Sequence, residues 1–379
     1  MNTRVHANML FTPWQLRGLD LSNRLAVAPM TRISATPEGM PTEMMARYYA
    51  RFARGGFGLV ITEGIYTDHS YSQGYANQPG LSNLAQAKGW RSVVDAVHTA
   101  GGKIVAQLMH AGALSQANRF RSDTAGPSAV QPKGLQMAIY RGEGPYRLPR
   151  AMAEADIVEA VEGFARAARF AIDVAGFDGV EIHGANGYLL DQFLTGYTNL
   201  RNDAWGGTID RRIRLSAEVV RAVRQAVGDA VPVGIRISQG KVNDFTHKWA
   251  EAEVGAAMVF STLASAGPDY IHVTEFEAWR PAFGDNGLSL VSLARKSAPG
   301  LTILANGGLH DPDRAAQMLG IGADLIALGR GALANPAWPR QTANGSAVHS
   351  FDPALLSPLG NIKPSELSEV LEQISEKSK

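Results

Sequence analysis

Eight short apolar runs, separated by longer amphipathic segments, constrain the fold of this chain more than any other feature of its sequence. The runs are rich in Val, Ile and Leu and are bounded by turn residues, which is typical of strands buried on both faces. Because such strands occur mainly in parallel sheets, the pattern predicts an α/β protein. The predicted strands are Asn23–Met30, Phe57–Gly64, Lys103–Leu108, Gly179–His183, Val231–Ile237, Asp269–Thr274, Leu301–Asn306 and Ala323–Gly329.

The segments between these runs have apolar residues at helical spacing. The clearest is Glu154–Ala175, which Gly176 follows as a C-terminal stop. Eight strand–helix units in series predict a (β/α)8 TIM barrel, a single domain over residues 1–379 with an N-terminal barrel cap and long active-site loops. The alternative is a doubly wound sheet, but no G-x-G-x-x-G follows an early strand. The other predicted helices are Thr42–Arg54, Asn83–Ala100, Arg211–Val227, Ala250–Ala266, Leu288–Ala298 and Asp311–Leu319, with a weaker one after Pro336.

Composition excludes several classes of protein. The 36 Lys and Arg residues nearly balance 35 Asp and Glu residues, so the net charge of +1 predicts no nucleic-acid partner and no attraction to anionic membranes. The absence of Cys excludes disulfides, thiolate metal sites, iron–sulfur clusters and a Cys nucleophile. No apolar run has the length of a transmembrane helix, and the N-terminus lacks a hydrophobic signal core. We therefore expect a cytoplasmic protein.

Three connections and the C-terminus interrupt the regular alternation. Met109–Arg150 is rich in Gly, Pro and Arg, and a connection of that length is usually a lid or a binding loop. Leu190–Asp210 is a second irregular stretch. Thr274–Asp285 carries three aromatic residues, of which Phe276 and Trp279 are candidate pocket walls, with core or interface packing as the alternative. Residues 340–379 are predicted to be a C-terminal appendage that ends in a charged helix.

Polar residues stand where the last two strands end. In a barrel of this kind, chemistry gathers at the carboxyl ends of the strands, and phosphate often binds after strands seven and eight. Asn306, Gly307 and Gly308 follow strand seven, and Gly329 and Arg330 follow strand eight. The glycines allow close backbone approach and the guanidinium adds a charged contact, so this pair of loops predicts a phosphate site. The alternative is a simple turn beside a surface arginine.

Arg236 lies inside the apolar run VPVGIRI, where an unpaired charge would be costly. The sequence leaves two partners open, a bound anionic or strongly polar group and an ion pair with Glu181 or Glu63. Gln107 ends strand three and suits an amide-like ring edge, although for this residue alone a satisfied glutamine at the barrel rim is the favoured explanation.

The segment His183-Gly-Ala-Asn186-Gly-Tyr188 offers three polar side chains within six residues. His183 and Asn186 have the donors to polarise one carbonyl oxygen, and Tyr188 is suited to supply a proton as a general acid. A metal site is the competing interpretation, because Glu181 and His183 share one side of a strand. Too few His, Asp and Glu residues stand at strand ends to favour it, so no metal is predicted.

These residues, in this order, resemble the Old Yellow Enzyme family of FMN-dependent NADH:flavin oxidoreductases. The resemblance spans nearly the whole chain, from LFTPWQLRGLDLSNRLAVAPMTR to LIALGRGALANPAWP. Its most specific parts are APMTR, ITEG, AGFDGVEIHGANGYLLDQFL, the later N-x-R-x-D-x-W-G-G segment and GADLIALGR. The family implies a single barrel with FMN across its carboxyl-terminal mouth.

The resemblance also implies roles for individual residues. Thr31 would bond near a flavin ring carbonyl, Gln107 would bind the pyrimidine edge, and Arg236 would face the N1/O2 edge and stabilise the charge of reduced flavin. His183 and Asn186 would hold the substrate oxygen, Met109 would contact substrate, and Tyr188 would donate a proton. The residues implied to bind FMN are Pro29, Met30, Thr31, Gly64, Gln107, Arg236, Asn306, Gly307, Gly308, Gly329 and Arg330.

The implied reaction has two halves at one site. NADPH or NADH passes a hydride to the flavin and leaves, and an activated alkene then receives that hydride while Tyr188 protonates the neighbouring carbon. Met109 stands where many family members carry a bulky aromatic residue, so the orientation of substrate is left open. The state of assembly, homodimer or monomer, is also left open.

Two other functions compete with this one. A phosphate-binding barrel lyase or isomerase without flavin would use a carboxylate such as Glu63 or Glu275, because no Lys lies in the carboxyl-terminal half of a predicted strand. A non-catalytic flavin-binding protein would not need Tyr188 beside His183 and Asn186.

Overall fold

The computed structural model describes residues 9–367, and these residues form the predicted barrel. The eight parallel strands close on themselves, because the first pairs with both the second and the last. Each predicted apolar run contains one strand, usually shorter than predicted at one or both ends. In barrel order the strands are β3 (Leu25–Val27), β4 (Leu59–Ile61), β6 (Lys103–Met109), β9 (Gly179–His183), β10 (Val233–Ser238), β11 (Tyr270–Thr274), β12 (Thr302–Asn306) and β13 (Leu325–Leu328).

A small hairpin closes the amino-terminal end of the barrel. Its strands, β1 (Trp14–Leu16) and β2 (Leu19–Leu21), pair antiparallel around Arg17 and Gly18. Leu16 and Leu21 belong to one buried cluster with inward-facing barrel residues such as Leu304. The interior is therefore apolar at this end, and the expected N-terminal cap is confirmed.

Helices surround the barrel where apolar periodicity predicts them. The helix predicted over Glu154–Ala175 begins as an α-helix, widens to a π-helical turn over Phe170–Ala175 and ends at Gly176, whose φ is +81°. The α-helices are α1 (Glu43–Arg54), α2 (Leu84–Thr99), α3 (Glu154–Arg169), α4 (Leu189–Leu194), α5 (Ile209–Arg212), α6 (Arg214–Val227), α7 (Ala252–Ser265), α8 (Leu290–Ser297), α9 (Pro312–Gly320), α10 (Arg330–Ala334) and α11 (Trp338–Ala343).

The long connections contain more regular structure than their sequences indicate. Leu190–Asp210, expected to be irregular, begins within α4 because its apolar residues pack into the core. Short strand segments also occur in the loops, where Gly and Pro mask any periodicity. They are β5 (Ile65–Tyr66), which pairs with β6, and β7 (Ala125–Gly126) and β8 (Arg150–Ala151), which pair with each other.

The predicted C-terminal appendage packs on the barrel over residues 340–367. Its main anchor is Glu366, whose carboxylate pairs with the buried guanidiniums of Arg32 and Arg51. Phe351 and Leu356 of the same segment line the mouth of the barrel. The rest of the predicted charged terminal helix lies outside the described residues. In residues 9–367, no helix is both long and apolar enough to span a bilayer.

Candidate active site

A cavity of about 960 Å³ opens at the carboxyl ends of the barrel strands. It is the place where a parallel barrel concentrates its functional groups. All of the residues that the sequence nominates line this one cavity. They are Pro29, Met30, Thr31, Gly64, Gln107, Met109, His183, Asn186, Tyr188, Arg236, Asn306, Gly307, Gly308, Gly329 and Arg330.

Arg236 projects from β10, and the residue is 6% exposed. Its Nη2 donates to Thr274 Oγ1 at 3.1 Å and to Asn306 Oδ1 at 2.9 Å, while its Nε has no partner among the described residues. Burial lowers the pKa of Arg236 to about 10, with the charge of Glu181 acting in the opposite direction. The site therefore holds a buried cation with a donor to spare.

The ion pair proposed for Arg236 is not formed. Glu181 is hydrogen-bonded to Gln107 and His272, and Glu63 accepts from Tyr49 and from backbone amides. Both carboxylates have other hydrogen-bond partners. Of the two interpretations of Arg236, the one that remains is a bound polar or anionic group as its partner.

His183 and Asn186 line the cavity beside Arg236, because His183 is the register partner of Arg236 on the adjacent strand β9. The backbone amide of Ala185 donates to Nδ1 of His183 at 3.3 Å, which places the imidazole proton on Nε2. Burial, with the charge of Arg236, holds the pKa of His183 well below its usual value, so the ring is a neutral donor. Asn186 adopts a left-handed φ of +61°, and its backbone N–H donates to Ser238 Oγ at 2.8 Å. The turn is thus tied to the end of β10.

Tyr188 lies next to His183, with ring centroids 4.9 Å apart. Its hydroxyl forms a hydrogen bond with the hydroxyl of Tyr75, and both side chains are buried. Burial raises the pKa of Tyr188, and the hydrogen bond from Tyr75 lowers it in part. A protonated phenol with a second phenol behind it therefore faces the cavity.

The loops after β12 and β13 form another wall. Gly307 has a φ of +136°, and a Cβ there would lie 2.1 Å from the carbonyl oxygen of Glu275. A Cβ on Gly329 would meet nothing closer than 3.7 Å, so this backbone is open to a ligand. The guanidinium of Arg330 has no hydrogen bond or ion pair within residues 9–367, and it lies 5.8 Å from the ring centroid of Phe276.

Gly64 and Met109 pack against each other on the side of the cavity near β6. A Cβ on Gly64 would lie 2.5 Å from Met109 Sδ, so the glycine makes room for this thioether. Met109 is buried and belongs to an apolar cluster with Tyr75 and Tyr188. Its position fits the wall of a substrate pocket. Phe276 and Trp279, from Thr274–Asp285, also line the cavity.

Sequence reasoning missed two tyrosines of this site. Tyr75 lies in a connection without periodicity, and Tyr140 lies in a short 3₁₀ turn within Met109–Arg150. Tyr140 lines the cavity, and its ring centroid is 4.9 Å from that of Tyr75. Burial raises the pKa of Tyr140 to about 12. Only the aromatic character of the loops could have pointed to them.

The metal interpretation of Glu181 and His183 finds no ligand set. In the part of the chain that the structure describes, no group of three or more His, Asp or Glu side chains is placed to hold a metal ion. Glu181 instead accepts hydrogen bonds from Gln107 Nε2 at 2.8 Å and from His272 Nδ1 at 2.9 Å.

Comparison with known proteins decides the family. The sequence profile of the NADH:flavin oxidoreductase / NADH oxidase family matches residues 9–348. The chain belongs to this family, the Old Yellow Enzyme family. A probable flavin mononucleotide-dependent alkene reductase from Leishmania infantum is 35% identical over 355 residues, which cover 92% of this chain and 93% of the relative.

Solved structures of the Old Yellow Enzyme family agree with the barrel. The old yellow enzyme homologue from Zymomonas mobilis superposes with a TM-score of 0.84 at 30% identity, covering 95% of this chain and 99% of that one. Morphinone reductase in complex with tetrahydroNAD superposes with a TM-score of 0.80 at 34% identity, covering 92% and 93%. The protein is thus an oxidoreductase of this family, with FMN as its cofactor.

The residues of the cavity fit FMN. The unpartnered Nε of Arg236 and the unpaired guanidinium of Arg330 suit a polar ring edge and a phosphate respectively. The open backbone at Gly329 allows a phosphate to approach amide groups. The chemistry of the lining therefore agrees with the family assignment.

Proposed function

We propose that the protein is an ene-reductase that takes a hydride from NADPH or NADH and reduces the C=C bond of α,β-unsaturated carbonyl or nitro compounds. The observation that carries this proposal is the grouping of His183, Asn186 and Tyr188 along one wall of a cavity that also contains Arg236. That wall holds two hydrogen-bond donors and one phenol, which are the groups that reduction of an activated alkene needs.

Arg236 and Gly64 are among the lining residues that would hold the flavin ring of FMN in this cavity. The residues proposed to hold it are Pro29, Met30, Thr31, Gly64, Gln107, Arg236, Asn306, Gly307, Gly308, Gly329 and Arg330. Arg236 would donate to the N1/O2 edge and Arg330 to the phosphate. Bound FMN would supply the hydride-transfer chemistry of the reaction.

The protein's own groups would activate the alkene. Nε2 of His183 and the side-chain amide of Asn186 would donate to the carbonyl or nitro oxygen of the substrate. These hydrogen bonds would draw electron density from the β-carbon. The neutral imidazole suits this role because its Nε2 proton is fixed by the Ala185 contact to Nδ1.

Tyr188 would then deliver a proton to the α-carbon. Loss of that proton leaves a phenolate, and the Tyr75 hydroxyl is already in place to donate to it. Hydrogen bonds to charged groups are stronger than those between neutral groups, so Tyr75 favours the proton transfer. Tyr188 and Tyr75 therefore act as a unit.

The lyase or isomerase alternative finds little support among its candidate carboxylates. Glu63 is fully buried and does not line the cavity. Glu275 accepts hydrogen bonds from Lys248 Nζ at 3.0 Å and from the backbone N–H of Gln239 at 3.2 Å. Neither is free to act as the base that such a reaction needs.

One spectroscopic experiment tests the proposal. The purified protein is reconstituted with FMN, and its visible spectrum is recorded before and after anaerobic NADPH, with 2-cyclohexenone added last. We expect the flavin absorbance to bleach with NADPH and to return with the enone. Bleaching without recovery would contradict the ene-reductase proposal, and failure to bind FMN would contradict the assignment of the cavity.

A further inference from the structure

Glu181, which the proposed reaction does not use, lies beneath the floor of the active-site cavity. Its carboxylate is fully buried, with Oε1 2.8 Å from Nε2 of Gln107 and Oε2 2.9 Å from Nδ1 of His272. Gln107 lines the cavity and Glu181 does not. One side chain therefore separates this carboxylate from the space assigned to the flavin ring.

Glu181 is ionised at neutral pH. Burial alone would raise the pKa of Glu181, but the hydrogen bond of His272, the charge of Arg236 and the hydrogen bond of Gln107 hold it below its usual value. Burial lowers the pKa of His272, so this imidazole is neutral at the same pH. The pair carries a net negative charge inside the barrel, where the low dielectric lengthens the reach of that charge.

Arg236 does not neutralise this charge through an ion pair. Its guanidinium bonds go to Thr274 and Asn306, and no contact with Glu181 within 4.0 Å is found among residues 9–367. Two charges of opposite sign therefore lie near the space assigned to the flavin ring. Arg236 lines that space directly, whereas Gln107 separates Glu181 from it.

We infer that Glu181 is a positioning residue that fixes the Gln107 amide and holds the reduction potential of bound FMN at a low value. The inference rests on the proposed binding of FMN by Gln107 and Arg236. A flavin gains negative charge on reduction, so a fixed negative charge nearby opposes reduction, whereas Arg236 favours it. The balance of the two sets how readily the holoenzyme passes a hydride onward.

Glu181→Gln tests the charge while keeping the volume. Its amide can accept from Gln107 and donate to the other tautomer of His272, so both contacts are available to the variant. We expect the midpoint potential, measured by anaerobic dye equilibration, to become more positive. Bleaching by NADPH should become several-fold faster and recovery with 2-cyclohexenone several-fold slower. A potential that is unchanged or more negative would overturn the inference.

Two variants separate charge from general disturbance. Glu181→Asp keeps the charge but shortens the side chain, so its potential should stay near the wild-type value; an equal shift in both variants would show that geometry, and not charge, is responsible. Asp324→Asn is the matched control, because Asp324 pairs with Arg295 at the opposite end of the barrel and is 20% exposed. Its potential should not change.

His272→Asn gives a second test that does not depend on how Glu181→Gln folds. The shorter amide no longer reaches Glu181, so the pKa of the buried carboxyl rises. The groups that then face it are Gln107, Arg236 and Tyr270. We expect the potential to climb more steeply than that of the wild type as the pH falls below neutrality, and a parallel curve would overturn the inference. Loss of FMN binding in the wild type would instead contradict the proposed function.

Discussion

The hydroxyl groups of Tyr75 and Tyr188 form a hydrogen bond at the wall of the active-site cavity, which Tyr188 lines. Tyr75 comes from the connection after β5 and Tyr188 from the turn after β9, so the pair joins two separate parts of the chain. Both side chains are buried. A phenol that loses its proton in a site of low polarity needs a hydrogen-bond donor to its oxygen, and the Tyr75 hydroxyl is placed to be that donor for Tyr188.

Tyr75→Phe should slow alkene reduction without affecting flavin reduction. Removing a donor to a developing phenolate costs about 1.5–3 kcal/mol, which corresponds to roughly 10- to 100-fold in rate. The measurement is stopped-flow recovery of flavin absorbance with an enone, beside bleaching by NADPH. Tyr146→Phe is the matched control, because Tyr146 lies in the same cluster but bonds Gln116 at 3.4 Å. An equal loss in both variants would point to packing.

Tyr188→Phe should have a larger effect on the same half-reaction. Loss of a general acid costs roughly 10²- to 10⁴-fold, while bleaching by NADPH needs no proton from Tyr188 and should be nearly intact. Stopped-flow traces of the two halves give both rates. If both fell together, Tyr188 would not be the specific proton donor.

His183→Ala should weaken the binding of phenol ligands, which place an oxygen where the substrate oxygen would lie. The lost hydrogen bond to a charged oxygen predicts roughly tenfold or more in Kd, read from the long-wavelength absorbance of the complex with p-hydroxybenzaldehyde. His98→Ala serves as a control, since His98 pairs with Asp178 away from the cavity. Unchanged affinity in His183→Ala would remove its assigned role.

Arg330→Gln should discriminate between FMN and riboflavin. If Arg330 binds the phosphate, the variant loses roughly tenfold or more in FMN affinity and nothing in the affinity for riboflavin, which lacks the phosphate. Fluorescence quenching of each flavin by the apoprotein measures both constants. Arg314→Gln is the matched control, because Arg314 stacks on Trp279 at 4.1 Å and does not line the cavity. Equal losses for both flavins would place Arg330 elsewhere.

Glu366→Gln should destabilise the fold, because it leaves Arg32 and Arg51 buried without a counter-charge. Breaking a buried pair in this way costs about 3–5 kcal/mol, whereas Glu218→Gln, which breaks exposed pairs on α6, should cost less than about 1 kcal/mol. Denaturant unfolding of the holoprotein measures both. Similar values for the two variants would show that the C-terminal anchor is weak.

The same carboxyl predicts a direction for acid stability. Burial would raise the pKa of Glu366, but the hydrogen bond and charge of Arg32 hold it below its usual value. Its contribution is therefore complete above the pKa of an unfolded Glu, about 4.3, and is lost as the pH falls through the lower folded value. Wild-type protein should lose stability over that acid range, and Glu366→Gln should lose less.

The barrel was predictable because each strand can be recognised from the apolar run in its own local sequence. Runs such as Val231–Ile237 are apolar at nearly every position, with Arg236 as the charged exception, and burial on both faces requires that composition. The ends of the runs were less predictable, since β3 covers only Leu25–Val27 of the run Asn23–Met30. Hydrogen-bond pairing, and not hydrophobicity, decides where a strand stops.

The candidate site was predictable wherever a residue follows a strand, because the fold brings all strand ends to one mouth. It was not predictable where partners come from loops. Nothing in the sequence near Tyr75 or Tyr140 places them beside Tyr188, and nothing shows that Glu181 prefers His272 to Arg236. These choices depend on distances across the barrel, which no local pattern records.

The hairpin of β1 and β2 has a kinetic consequence. By filling the amino-terminal end of the barrel with Leu16 and Leu21, it leaves the carboxyl-terminal mouth as the route of entry to the cavity. In the proposed reaction, coenzyme and alkene would then occupy the same space in succession, and each would exclude the other. Steady-state velocities should give parallel double-reciprocal lines, and a high concentration of either reactant should inhibit by occupying the form of the enzyme that is waiting for the other.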